Sequence, residues 1–229
     1  MHKLIYKTGL MMILVAVLSL PIASATSEVP IYLQNKTYLM QMENQSHYKP
    51  KHADIVMLGD SITYNVQWNE LLGRNAANRG IGGDYTSGML NRLEYVTNLT
   101  PYMVFIMAGT NDLFKGEVTP ETAFQNYVSI LDALEQKHIT PVITLTLYVG
   151  KDIANYTAIN ERVQKLNGYL TGYARQHEIT CIDLNEAIAP EGYLLYDYSI
   201  DGIHINGEAY EIWGDKINKI INQILKKES

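Results

Sequence analysis

Ser61 stands in Gly59-Asp60-Ser61, directly after the apolar run Ile55-Val56-Met57-Leu58. A serine hydroxyl becomes a nucleophile only when a base within hydrogen-bond reach takes its proton. That base is usually an imidazole whose tautomer a carboxylate holds. Of the six histidines, His2 falls in the N-terminal leader, and His47, His52, His138 and His177 lie in polar or helix-end stretches that read as solvated surface. His204 differs: it sits in Asp201-Gly202-Ile203-His204-Ile205-Asn206, a loop before a helix that Asn206 can cap. An aspartate three residues before a histidine on such a turn can accept its Nδ1–H and leave Nε2 facing a serine. In isolation D-x-x-H reads as a capping loop with a surface histidine. A serine on the same sheet edge turns the reading toward nucleophilic catalysis.

Acyl transfer to a serine also needs donors aimed at the oxyanion of the tetrahedral intermediate. The turn Asn78-Arg79-Gly80-Ile81-Gly82-Gly83-Asp84 lets a backbone N–H approach substrate with no side chain in the way. A dinucleotide loop, the rival explanation, requires glycine where Tyr85 stands. Gly109-Thr110-Asn111-Asp112 follows a third apolar run, and Asn111 can supply a side-chain N–H. Taken by itself this tetrapeptide has the composition of an ordinary turn. A G-x-S-x-G elbow is absent, since no glycine stands two residues after Ser61, which argues against the α/β-hydrolase arrangement. Metal chemistry fares no better. There is no H-E-x-x-H, Cys181 is the lone cysteine, and Asp201 and His204 have no third ligand at a recognisable spacing. No metal and no cofactor are expected.

These groups need a frame. Apolar runs of strand length occur at 54–58, 103–107, 142–147 and 179–182, with a weaker one at 76–79. Helical stretches occupy 66–72, 87–96, 121–138, 158–177 and 207–226. Alternation of fully apolar strands with helices predicts a five-stranded parallel sheet covered on both faces, a three-layer α/β/α sandwich. In such a sheet the loops after the strands' carboxyl ends build the site. Those loops begin here at Gly59, Gly80, Ala108, Tyr148 and Asp183, so every motif above falls on one edge. Gly59 is expected to let the chain turn sharply out of the first strand, and Asp60 to brace that turn. Residues 31–48 read as an N-terminal helix laid on the domain, with Tyr32, Leu33, Leu39, Met40 and Met42 as packing residues.

Gly59-Asp60-Ser61, Gly83 within Gly80–Asp84, Asn111 within Gly109–Asp112, and Asp201-x-x-His204 resemble, in order, the four blocks of the SGNH (GDSL-type) hydrolase family. The resemblance runs from about Asp54 to the C-terminus. It implies a flavodoxin-like sheet, Ser61 as nucleophile, His204 as base and Asp201 as its orienter. It also implies an oxyanion hole from the Ser61 and Gly83 backbone N–H groups and the Asn111 side chain. The stretch from Asn78 to Leu93 is most similar to the branch holding platelet-activating-factor acetylhydrolase subunits and carbohydrate acetylesterases. Ile62 replaces the usual leucine of the G-D-S-L signature and leaves the chemistry intact.

At 229 residues, with 47% hydrophobic and 18% charged, the chain suits one globular domain. Lys3 and Lys7, the apolar run 10–20 and Ala23-Ser24-Ala25 form the pattern of a secretory signal peptide over residues 1–25. The run is short against the roughly 20 apolar residues of a membrane-spanning anchor. Residues 26–53 then form an extension and 54–229 the hydrolase domain, in a secreted or periplasmic protein. Losing Lys3 and Lys7 takes the formal charge from −6 to about −8, which disfavours nucleic acid and anionic membranes as partners. One cysteine allows no intrachain disulfide, and Cys181 reads as buried packing. Tyrosines on the active edge, Tyr85, Tyr148 and Tyr198 among them, are candidates to contact substrate, either stacking on sugar rings or lining a lipid groove. The expected partner is a small-molecule, glycan or lipid ester, with a short acyl group on a polar or sugar-linked alcohol. The alternatives are a lysophospholipase or thioesterase acting on longer chains, acyl transfer to a sugar instead of water, and a catalytically silent binding module. Oligomeric state has no signature in the sequence.

Overall fold

The computed structural model describes residues 29–227, so the expected leader, residues 1–25, lies outside the described residues. Five strands form one parallel sheet: β1 (Ile55–Gly59), β2 (Ala76–Gly80), β3 (Met103–Met107), β4 (Thr140–Thr144) and β5 (Thr180–Ile182). Their spatial order is β2-β1-β3-β4-β5. β1 therefore lies where the order reverses, the position at which an open sheet leaves a crevice at its carboxyl edge. The register pairs Gly59 with Gly80 on one side and with Met107 on the other, so three strand ends come level there.

Among the described residues ten α-helices connect and cover the strands: α1 (Lys36–Ser46), α2 (Ser61–Tyr64), α3 (Trp68–Leu72), α4 (Thr86–Asn91), α5 (Glu94–Thr97), α6 (Thr110–Phe114), α7 (Pro120–Glu135), α8 (Tyr156–Gln176), α9 (Asn185–Ile188) and α10 (Gly207–Lys227). Because strand side chains alternate between faces, β1 and β3 feed two cores. Val56, Leu58, Val104 and Ile106 pack with Met89 of α4, Tyr127 and Ile130 of α7, and Leu166 of α8. Ile55, Met57, Met103 and Phe105 face the other way, onto Trp68 of α3 and Trp213, Ile217 and Ile221 of α10. The Trp68 and Trp213 rings meet edge to face at 4.7 Å, a favoured aromatic geometry. The sandwich is thus three-layered with an all-parallel sheet, as the alternating pattern predicts.

The differences from the sequence reading have local causes. β4 stops at Thr144 because side chains take over from the ladder. Asn167 binds both the Thr146 N–H and its C=O, and the Thr146 hydroxyl donates to Ala108 C=O. The helix expected over 87–96 is divided into α4 and α5, with the break at Arg92, whose side chain turns inward. In α1 the inward residues are Tyr38, Gln41 and Gln45, while Leu33, Leu39 and Met40 are exposed and Tyr32 and Met42 half-buried. Tyr38 donates to Gly88 C=O and accepts from Asn91, which ties the helix to α4. Cys181 is only partly buried, yet that burial, with the Asp183 charge beside it, pushes the thiol up to about 12.

Candidate active site

Each functional side chain hangs on a strand-end loop whose conformation the sequence enforces. Ser61 opens α2, and Asp60 caps that helix by accepting the Ile62 N–H at 2.9 Å. The carbonyls at the far end of α2 are also held: Asn78 Nδ2 donates to Thr63, Tyr64 and Val66. Tyr210 of α10 donates to Ile62 C=O at 2.6 Å. Gly59 lets the chain turn out of the strand without a positive φ. It supplies space: a Cβ there would lie 2.0 Å from Thr63 Oγ1 and 2.7 Å from Met107 O, so only glycine lets α2 fold back onto the strand end. Asp60 bracing the turn is what the helix cap amounts to.

His204 is delivered by a tightly hydrogen-bonded loop before α10. Ser199 Oγ accepts from Gly202 N–H and donates to His204 C=O. Asp201 Oδ1 accepts the backbone N–H groups of Ile203 and His204. Its second oxygen, Oδ2, lies 2.7 Å from His204 Nδ1, and His204 Nε2 lies 2.9 Å from Ser61 Oγ, across 143 residues of sequence. Partial burial pushes the Asp201 carboxyl up, but the hydrogen bonds from His204 and Ile203 outweigh that and hold it below the ordinary range. An ionised Asp201 accepts Nδ1–H and leaves Nε2 as the acceptor facing the serine hydroxyl. Asn206 accepts from Ala209 N–H at 3.2 Å and so caps α10.

Gly83 has φ +70°, the left-handed region that glycine adopts without strain. Among the described residues, neither the Ser61 N–H nor the Gly83 N–H donates to another group. Asn111 Nδ2 donates to Asp84 C=O at 2.9 Å and lies 3.4 Å from Asp60 Oδ2, which holds the amide beside the residue preceding Ser61. Two unengaged N–H groups suit an oxyanion site, and the Asn111 amide joins them only by releasing one of its two acceptors. A cleft of about 1010 Å³ opens beside Gly83 and Asn111; Tyr85, Gln34, Lys115 and Glu117 line it together with the apolar Val29, Ile31, Phe114 and Val118, while Ser61 and His204 lie outside its lining. Of the three tyrosines singled out, Tyr85 is therefore in this cleft, its hydroxyl donating to Glu117 at 3.4 Å. Tyr148 lines a separate depression with Tyr156 and Tyr193, and Tyr198 packs on the α3/α10 core.

Beneath the site lie three buried carboxylates, Asp60, Asp84 and Asp112, of which the sequence reading left the last two unassigned. Asp84 pairs with Arg92, and Asp112 accepts from the Thr86 N–H and hydroxyl. Burial pushes Asp60 up to about 7. A carboxyl whose folded value exceeds the ordinary 3.8 gives the fold stability that is fully present below about pH 4 and lost as pH rises through 7. Asp60→Asn keeps the acceptor for Ile62 N–H but cannot ionise. Relative to wild type, its Tm is expected to rise between pH 4 and pH 8, by an amount worth on the order of a few kcal/mol. Thermal unfolding of both proteins across that range measures it, and a constant offset would show that Asp60 does not titrate there.

Residues 57–212 match the model of the GDSL-like Lipase/Acylhydrolase family. The N-acylneuraminate cytidylyltransferase of Streptococcus agalactiae serotype III is 25% identical over 193 residues, 81% of this chain and 45% of that protein. The chain thus spans about half the length of these curated relatives. The platelet-activating factor acetylhydrolase IB subunit alpha1 of Rattus norvegicus is 29% identical over 137 residues, 56% of this chain and 59% of that one. A solved GDSL-like lipase from Bacteroides thetaiotaomicron shares the fold with a TM-score of 0.71 at 23% identity, over 82% of this chain and 98% of that one.

Proposed function

This chain belongs to the GDSL-like lipase/acylhydrolase family of ester hydrolases, and from that premise we propose that it is an exported serine esterase. In this reading it removes short acyl groups, such as acetyl, from polar or sugar-linked alcohols through an acyl-Ser61 intermediate. The observation that carries the reading is the unbroken chain from Ser61 Oγ to His204 Nε2 and from Nδ1 to Asp201, at 2.9 and 2.7 Å. Ser61 Oγ attacks the ester carbonyl carbon as its proton passes to Nε2. The negative oxygen is met by the Ser61 and Gly83 N–H groups and the Asn111 amide. As the carbonyl reforms, the carbon–alkoxy bond breaks and the imidazolium gives its proton to the departing alcohol. Water then adds to the acyl-enzyme, its proton going to His204. The carboxylic acid leaves and Ser61 recovers its hydrogen.

The short-acyl, polar-alcohol part rests on the cleft. It meets Gly83 and Asn111, and Gln34, Asn35, Thr37, Lys115 and Glu117 offer hydrogen-bonding groups for hydroxyls beside an apolar side formed by Val29, Ile31, Phe114 and Val118. The name of one relative, an acetylhydrolase, points the same way. Export is supported by the leader pattern of residues 1–25. Among the described residues no helix is long and apolar enough to cross a membrane. The test is a rate panel on p-nitrophenyl acetate, butyrate, octanoate and palmitate, run beside acetylated monosaccharides. Acetate is expected to be turned over at least about tenfold faster than octanoate, a pocket difference of a kcal/mol or more. Preference for octanoate or palmitate would replace this reading with a lysophospholipase or thioesterase.

A further inference from the structure

The family match begins at residue 57, yet a side chain from well before it reaches the glycine turn of the site. Asn35 follows a 3₁₀ turn (Ile31–Gln34) and caps α1. Its Oδ1 accepts the Thr37 N–H at 2.9 Å and the Tyr38 N–H at 3.3 Å. Its Nδ2 donates to Gly82 C=O at 2.9 Å, across 47 residues. The amide's orientation is unambiguous, because only its carbonyl can accept from backbone N–H and only its NH₂ can donate to a carbonyl.

Gly82 C=O and Gly83 N–H belong to one planar peptide unit, and in a trans peptide the two point in opposite directions. Glycine stands on both sides of that unit, so side-chain sterics do little to choose between its two orientations. Holding the carbonyl toward α1 turns the N–H away from α1. A flipped unit would set the Gly83 N–H against the Asn35 NH₂, donor against donor, and present a carbonyl oxygen where an oxyanion must form. Asn35 Nδ2 also lies where a Cβ on Gly83 would come within 3.1 Å, so the contact is close.

We propose that Asn35 is a positioning residue of the oxyanion hole: it fixes the 82–83 peptide so that the Gly83 N–H faces the reacting carbonyl. The N-terminal segment is then a working part of the active site and not a surface appendage. This inference rests on the serine-esterase reading.

Asn35→Asp separates the two ends of the side chain. Aspartate keeps the helix cap, since a carboxylate accepts from Thr37 and Tyr38 N–H at least as well, but it has no donor for Gly82 and favours the flipped peptide. The expected result on p-nitrophenyl acetate is a kcat at least about tenfold lower, part of the 10²–10³ lost when an oxyanion donor is removed outright. KM should stay within about threefold and Tm within a few degrees. Asn35→Ser also caps, but its one hydroxyl oxygen cannot stand both where Oδ1 meets the Thr37 N–H and where Nδ2 meets Gly82 C=O, so it should lose kcat in the same way. An Asn35→Asp protein with wild-type kcat overturns the inference. So does a loss of kcat seen only in Asn35→Ala and accompanied by a fall in Tm, which marks a structural role. Wild-type protein inert to both ester and a fluorophosphonate probe would overturn the esterase reading itself, and this inference with it.

Discussion

Ser61→Ala is expected to lower kcat for ester hydrolysis about 10⁶-fold, the order seen when the nucleophile of a serine triad is removed, while Tm changes by no more than a few degrees. The size follows from what the hydroxyl does. Without it there is no covalent intermediate, and His204 has no proton to accept in the first step. Oxyanion donors and binding remain, and they sustain only the residual acceleration over water that such sites retain. The small effect on stability follows from the surroundings. Ser61 is half-buried, and its Oγ makes one hydrogen bond, to a histidine whose side chain is 28% exposed and can turn to water. The helix cap that Asp60 provides does not involve the Ser61 side chain. His204→Ala should cost about as much as Ser61→Ala, and the double variant should cost no more than either alone, because the residues act as one unit. Labelling by a fluorophosphonate should disappear with the serine. A Ser61→Ala protein that keeps a tenth of the wild-type rate would remove Ser61 from the chemistry.

How far this site was legible in the sequence depended on the range of the interaction. β1 and β3 are apolar at every position and buried at every position, so their runs announce strands in a covered sheet. Asp201 and His204 are three residues apart, and their bond is a property of one loop. Ser61 and His204 meet because parallel strands put their loops on one edge, a consequence of topology that alternating runs do encode. What the sequence did not carry are the links that cross the fold through single side chains. Asn35 reaches Gly82, Arg92 reaches Gly59, and Tyr210 reaches Ile62, at separations of 47, 33 and 148 residues. Periodicity averages over such contacts. Arg92 even misled it, since a helix that looks continuous over 87–96 is broken by an arginine turned into the core. Gly59 shows the same limit: the turn it permits was legible, but the reason it must be glycine lies with Thr63 and with the Met107 carbonyl, a neighbour in space that no local pattern names.

Arg92→Met is expected to destabilise the protein by about 3–5 kcal/mol at pH 8, the range for removing one partner of a buried ion pair. Arg92 and Asp84 are both fully buried and lie 2.8 Å apart. The guanidinium also donates to Gly59 C=O at 3.1 Å, while Asp84 accepts the Tyr85 N–H and, through its own carbonyl, the Asn111 amide. The pair therefore joins the strand end before Ser61, the glycine turn and the Asn111 loop. Methionine fills much of the arginine stem but leaves a carboxylate in the core with no cation. For a domain of this size the loss corresponds to a fall in Tm on the order of 10 °C. The penalty should depend on pH in a definite direction. Burial pushes the Asp84 carboxyl up to about 6 even against the pull of Arg92, and without the cation it must go higher. Because its folded value lies above its unfolded one, Asp84 contributes stability at low pH that is lost as pH rises through the folded value. In the variant that loss is larger and falls at higher pH. The gap between wild type and Arg92→Met should accordingly be small at pH 5 and wide at pH 8. Adding Asp84→Asn to Arg92→Met should recover part of the stability at pH 8 and little at pH 5, since it removes the unpaired charge. Equal Tm values for wild type and Arg92→Met, or a gap independent of pH, would mean that the buried pair is not what ties these three loops together.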